Sequence, residues 1–281
     1  MTPNERLTAE HASEIQSGER FEFGKNWGLF LENLTNEGIH RAEESLREML
    51  GGDSLDGKTF LDIGSGSGLF SLAARRLGAK VHSLDYDPQS VACTLELRRR
   101  YSDPSEWTVE QASVLDDRHM ASLGEFDVVY SWGVLHHTGS MWQAIHNAAL
   151  TVKPGGLFFI AIYNDQGRKS RQWLAVKKAY NGLPPGLRFL VLWPAFVQLW
   201  WKRLFKDALV GKPLRSFREY KALRGMSLWH DVVDWVGGYP FEVAKPEEIF
   251  DFCRSRGFQL VRMTTQAGNL GCNEFVFVMQ A

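Results

Sequence analysis

The stretch FLDIGSGSGLF, residues 60–70, decides the reading of this chain. An apolar run over residues 59–63 reads as a strand, with Asp62 near its end. It enters a turn with glycine at 64, 66 and 68, and a helical pattern continues over 69–77. Glycine lets a backbone turn tightly and approach a ligand with no Cβ in the way. The dinucleotide-binding pattern G-x-G-x-x-G requires a third glycine where this chain has Leu69. The chain instead reads D-x-G-x-G-x-G. A lone glycine turn after a strand can be purely structural, so the weight rests on the order and spacing of the strands downstream.

A second strand, AKVHSLD (79–85), ends in Asp85, 21 residues after Gly64. A carboxylate at that strand edge can accept both ribose hydroxyls of a nucleoside. Taken alone, Asp85 could equally cap the helix that starts near Pro88. WTVEQASVLD (107–116) supplies a third strand, FDVVYSWGVLHH (126–137) a fourth, and residues 157–163 a fifth after the turn KPGG. Strands alternating with helices argue a parallel sheet. The last two strands, FQLVRMTTQ (258–266) and NEFVFVMQ (273–280), flank a short glycine-rich turn and read as a hairpin, which makes the final strand antiparallel.

The glycine turn, Asp85 and the segment FDVVYSWGVLHHTGSMWQAIHNAALTVKPGGLFFIAIYN together resemble the class I S-adenosylmethionine (SAM) methyltransferases, over residues 58–163 and more loosely over 246–280. In pattern the core is similar to the small-molecule O-methyltransferases of ubiquinone biosynthesis. The resemblance implies an α/β fold: a Rossmann-like, mostly parallel sheet with an antiparallel last strand and a helical insertion after strand five. It implies SAM as cofactor, held by Asp62, Gly64, Gly66, Gly68, Asp85, Tyr86, Ser131 and Trp132, with Ser113 and Val114 at the adenine. Many relatives carry Asp where Ser113 stands, so the adenine contact is the weaker match. The segment RFEFGKNWGLF (20–30) precedes the first strand, where segments often fold over SAM. Lys25 or Arg20 is then a partner for the SAM carboxylate, and Trp27 packs on the cofactor or the acceptor; a simple amphipathic cap helix is the equal alternative.

The organisation expected is an N-terminal helical cap (1–55), a SAM-binding core (56–163), a basic and aromatic helical insertion forming a lid or acceptor site (164–242), and a C-terminal helix and hairpin completing the core (243–281). At 281 residues the chain can bury such a core. The three cysteines, Cys93, Cys253 and Cys272, show no metal or disulfide spacing, and no metal is expected. The start MTPNERLTAEH has no apolar h-region, and no apolar run reaches the length of a membrane span. A cytoplasmic protein is the default expectation.

Charge is unevenly spread. Residues 164–224 hold 14 Lys and Arg against three acids, a local charge of +11 that leaves −12 for the rest of the chain. This segment also contains Trp173, Trp193, Trp200, Trp201 and the apolar run FLVLWPAFVQLWW (189–201). It reads first as a lid that excludes water from the reaction. The second reading is a membrane-surface contact through residues 187–205, since basic flanks with Trp and Leu compose interfacial helices. Ubiquinone-biosynthesis O-methyltransferases carry a membrane-associating insertion at about this place. A nucleic-acid surface is disfavoured, because the protein is not basic overall; a homodimer interface is the remaining reading. Pro194 predicts two shorter helices here.

Methyl transfer from SAM is a displacement at carbon, and a hydroxyl acceptor needs a group to take its proton. Two places offer candidates. One is Leu135-His136-His137 after the fourth strand, where His137 lines an acceptor pocket or is structural. The other is RGMSLWHDVVDWVGGYPFE (224–242), where His230 and Asp231 form a base with its orienting acid, and Asp234 stands one helical turn from His230. Ordinary capping with a surface ion pair is the plain alternative. The expected function is SAM-dependent methylation of a small-molecule hydroxyl: a natural product, a quinol precursor or a sugar derivative. The alternatives are an RNA (tRNA) methyltransferase docking through the basic insertion, a membrane-associated methyltransferase of lipid substrates, and a cofactor-binding protein without turnover.

Overall fold

The computed structural model describes residues 2–101, 106–212, 215 and 228–280, with no side-chain description at positions 3, 29, 228 and 230. Three helices come first: α1 (Pro3–Ser17), α2 (Gly24–Glu32) and α3 (Asn36–Leu50). The core then alternates as β1 (Thr59–Ile63), α4 (Leu69–Arg76), β2 (Lys80–Asp85), α5 (Pro88–Tyr101), β3 (Trp107–Gln111), α6 (Asp117–Ser122), β4 (Phe126–Trp132), α7 (Met141–Ala149) and β5 (Val152–Tyr163). After β5 come α8 (Arg168–Gly182), α9 (Phe189–Leu209) and α10 (Leu228–Gly237). The chain closes with α11 (Pro246–Arg254), β6 (Phe258–Thr264) and β7 (Cys272–Met279).

The strands form one seven-stranded sheet in the order β3-β2-β1-β4-β5-β7-β6. The first five are parallel, and β7 runs antiparallel between β5 and β6. This is the Rossmann-like sheet with a reversed last strand that the sequence leads one to expect. Successive strand residues face opposite sides. Leu61, Ile63 and Val129 therefore join the core under α7 and α11, while Phe60, Val128 and Tyr130 join the core under α3 and α4. Strand order reverses between β1 and β4, and such a switch point opens a crevice at the C-terminal strand ends.

A third apolar cluster stands apart from the sheet. Trp173, Tyr180, Leu192, Ala195, Trp200, Val232 and Val236 pack α8, α9 and α10 together, with Phe21 and Phe241 joining from outside. The two short helices expected around Pro194 are here one helix of 21 residues with the proline inside. Pro194 falls in the second turn, so its missing N–H removes one bond near the helix start. Leu192 and Ala195 on either side of it, and Trp200 beyond, are buried in this cluster and hold both halves on one axis.

Candidate active site

The C-terminal strand ends open into a cavity of about 2320 Å³. A single small-molecule site usually occupies about 300–1,000 Å³, so there is room for a cofactor and an acceptor side by side.

One end of the cavity is built on the glycine turn. Gly64 and Gly66 have φ of 78° and 55°, the left-handed region that glycine tolerates. A Cβ on Gly64 would come within 2.4 Å of Val134 Cγ1, and one on Gly66 within 3.0 Å of the Trp27 ring. The turn is pinned to β2 by Gly64 N–H donating to the Leu84 carbonyl at 2.8 Å. Asp85 accepts one backbone N–H on each oxygen, from Gly66 and from Asp87, both at 2.9 Å. Each oxygen keeps lone pairs for a further donor. Burial pushes the Asp85 carboxyl up to about 7 against those two hydrogen bonds. Asp62, below the turn, accepts from Ser71 Oγ and is also pushed by burial to about 7.

The α1 helix and the segment after it roof this end. Arg20 donates to Glu14 at 2.5 Å and to the His137 carbonyl at 3.1 Å, and its guanidinium lies 4.8 Å from the centre of the Tyr86 ring. His11 meets Tyr86 edge-on, with ring centres 5.3 Å apart. Gly24 N–H donates to Asp87 at 2.7 Å, which ties α2 to the loop after β2.

Aromatic side chains enclose the other end. Tyr163, at the end of β5, lies 5.3 Å from Trp235 and 5.3 Å from His137 between ring centres, and Trp173 lies 5.5 Å from Trp235. His137 Nδ1–H donates to the Pro240 carbonyl at 2.6 Å, which leaves a lone pair on Nε2. Burial lowers its pKa to about 3, with Lys177 and Arg20 adding to the effect. The ring is neutral at physiological pH. Asp231 and Asp234 line the same cavity.

Of the residues singled out in the sequence, Asp62, Gly64, Gly66, Asp85, Tyr86, Ser113, Val114, Trp132 and Trp27 line the cavity, as do Asp231 and His137. Ser113 and Val114 come just after the end of β3 rather than lying in it. Three others stand elsewhere. Gly68 turns away: a Cβ on it would meet Thr94 at 3.0 Å, so its task is the close approach of α4 to α5. Ser131 is fully buried and donates to the Ile63 carbonyl at 2.9 Å, a clamp between strand ends. Lys25 is exposed outside the cavity, and of the two cations named for the SAM carboxylate it is Arg20 that lines it. The side chain of His230 lies outside the described residues. Sequence reasoning misses His11 and Glu14, because α1 is polar and carries no motif. It also misses Asn26 and Lys177, whose neighbours come from far along the chain. Among the described residues, no group of three or more His, Cys, Asp or Glu could hold a metal ion.

A family model described as "Methyltransferase domain" matches residues 31–196, from α2 into α9. The chain belongs to this methyltransferase family. A ubiquinone biosynthesis O-methyltransferase of Methylobacterium sp. (strain 4-46) is 32% identical over 118 residues, 42% of this chain and 46% of that protein. Another, from Erwinia tasmaniensis, is 31% identical over 123 residues, 43% of this chain and 48% of that protein. The chain thus spans about half the length of the curated relatives it matches. In structure the chain resembles an O-methyltransferase family protein from Burkholderia thailandensis, with a TM-score of 0.52, 14% identity, and coverage of 99% of this chain and 70% of that one. It also resembles the magnesium protoporphyrin IX methyltransferase of Synechocystis PCC 6803 with bound SAH, with a TM-score of 0.50, 15% identity, and coverage of 86% and 83%. At these identities the likeness is one of fold.

The residues present fit SAM. The cavity offers a carboxylate with open lone pairs at Asp85, a glycine turn with no Cβ toward Trp27, and an Arg20 side chain beside Tyr86.

Proposed function

We propose that this protein methylates a hydroxyl oxygen of a small, partly apolar molecule, with SAM as the methyl donor. The observation that carries the reading is one cavity with two unlike ends: a nucleoside-type end at Asp85 and the glycine turn, and an aromatic end at Tyr163, Trp173 and Trp235. SAM supplies an electrophilic methyl group. Asp85 accepts the ribose hydroxyls, Arg20 pairs with the carboxylate, and Ser113 and Val114 contact the adenine. At the other end the aromatic walls orient the acceptor and exclude water, which favours displacement by placing oxygen against carbon. Neutral His137 offers Nε2 as a hydrogen-bond acceptor to the acceptor hydroxyl, and Asp231 lines the same cavity; His230 is the further candidate on α10. The quinol precursors, natural products and sugar derivatives expected from the sequence remain the acceptor classes. The test is methyl transfer from isotope-labelled SAM to a panel of phenols, with the product's methyl position read by NMR. A methoxy product is expected, and a ring C-methyl product, or an N-methyl product from an aminophenol in the panel, would overturn the reading.

A second reading concerns where the acceptor comes from. Phe189, Trp193, Val197, Trp201, Phe205 and Leu209 recur every four residues along α9, and each is more than half exposed. Lys202, Arg203 and Lys206 lie along the same helix. Such a stripe beside cations fits an anionic membrane surface, although no helix among the described residues is long and apolar enough to cross a membrane. Binding to phosphatidylglycerol vesicles should fall about tenfold or more in a Trp201→Ser, Phe205→Ser double variant. Equal binding by the variant would remove the membrane reading.

A further inference from the structure

Behind the aromatic walls sit a buried cation and a half-buried carboxylate that the proposed reaction leaves unused. Lys177, on α8, is fully buried. Its Nζ donates to the Trp235 carbonyl and lies 4.7 and 4.8 Å from the centres of the Trp235 and Phe241 rings. Burying an ammonium group is costly unless an opposite charge answers it. The charge that acts on Lys177 is Asp234, one residue before Trp235 on α10. Asp234 in turn accepts a hydrogen bond from Asn26 Nδ2, on α2. Asn26 from α2 thus bonds the carboxylate on α10 and Lys177 from α8 acts on it through its charge, and Asp234 is one of the residues that line the cavity.

Its position is on the acceptor side. Gly238 is wedged between the Asp234 carbonyl and the His137 ring: a Cβ there would meet them at 2.9 and 3.1 Å. The end of α10 therefore presses against His137, and Trp235 brings it against Tyr163 at the end of β5. Burial pushes the Asp234 carboxyl up to about 7, Asp231 pushes the same way, and the Asn26 hydrogen bond and Lys177 pull it down. Burial draws Lys177 itself down to about 7. The tyrosines at 163 and 180 also feel the Asp234 charge, and burial pushes both hydroxyls up, so they stay protonated near neutral pH. A general base works best when its pKa lies near the working pH. His137, held near 3, is a poor proton acceptor by comparison.

We propose that Asp234 takes the proton from the acceptor hydroxyl, with Asn26 and Lys177 as positioning residues that keep its carboxylate ionised and aimed into the cavity. This rests on the oxygen-acceptor reading of the function. The acceptor oxygen forms its bond to the methyl carbon as the methyl–sulfur bond breaks, and that bonding pair stays on sulfur. The hydroxyl proton passes to Asp234, which returns it to solvent after product leaves. The only co-reactant is the sulfonium donor.

The experiment uses the full chain with labelled SAM and three probe acceptors: phenol, catechol and 3,4-dihydroxybenzoate. Turnover is followed across pH, and SAM affinity is measured separately by calorimetry. Asp234→Asn should lower kcat by about 10²–10³-fold while the SAM Kd holds within about twofold, and Asp234→Glu should recover part of the loss. Asn26→Ala and Lys177→Met should each move the acidic limb of the kcat profile to higher pH, because each removes an influence that favours the carboxylate. Should Lys177→Met fail to fold, Asn26→Ala carries the same test at a less buried site. If Asp234→Asn keeps kcat within about threefold with an unchanged acidic limb, this inference falls while oxygen methylation stands. If the wild type binds SAM and methylates none of the probes, the oxygen-acceptor reading falls and takes the inference with it.

Discussion

The two ends of the cavity are made in different ways. The cofactor end comes from a short, nearly continuous stretch. The glycine turn and Asp85 lie within 22 residues of each other, and backbone hydrogen bonds fix their geometry. The acceptor end gathers α2, the turn after β4, the end of β5, α8 and α10, and side-chain packing fixes it. A backbone-built site tolerates few substitutions and keeps one chemistry. A packing-built site can be re-formed with other side chains, which suits the part of a methyltransferase that chooses its substrate.

The contrast makes ordered demands. The largest effect belongs to Gly64→Ala. The new Cβ combines a left-handed backbone with a 2.4 Å approach to Val134. It should cost about 2 kcal/mol or more of stability and abolish SAM binding by calorimetry. Near-normal binding would mean that the turn is not the cofactor's seat. Next comes Asp85→Ala, which removes the proposed acceptor for two hydroxyls and should weaken SAM about 100-fold with the fold intact.

The same carboxylate sets a pH dependence. Its pKa in the free protein is raised to about 7 by burial, and only the ionised form can accept both hydroxyls. SAM affinity should therefore be half-maximal near pH 7, full about a unit above it, and fall by up to about tenfold per unit below it. Asp85→Asn should flatten that slope; a slope that survives would assign it to another group.

The smallest effect on SAM, and the sharpest contrast, comes from Trp173→Ala at the acceptor end. Losing this buried ring should lower stability by about 3–5 kcal/mol and loosen α8 against α10. SAM affinity should change by less than about twofold while turnover collapses. A parallel loss of SAM affinity would show that the two ends are not separable.

Legibility from sequence divides along the same line. The succession of strands and helices, the reversed β7 and the place of Asp85 at the end of β2 are readable because each is signalled by local pattern: alternation, a short glycine-rich turn and a strand-terminal acid. Gly68 and Ser131 read as cofactor contacts because a motif shows which residues cluster, but not which face each one turns. In the structure Gly68 gives its open face to Thr94, and Ser131 gives its hydroxyl to Ile63. The single long α9 is hidden from sequence because Pro194 is a local stop signal. The burial of Leu192, Ala195 and Trp200 that overrides it is not local. Asn26 and Lys177 leave no trace in the sequence, since their significance is the company they keep with Asp234.

The most direct test is a crystal structure of the full chain with S-adenosylhomocysteine. The ribose hydroxyls should lie on Asp85, the amino-acid carboxylate at Arg20, and the sulfur should face the space between His137, Tyr163 and Asp234. A sulfur directed away from that space, or a ribose bound without Asp85, would contradict a cavity with a cofactor end and an acceptor end.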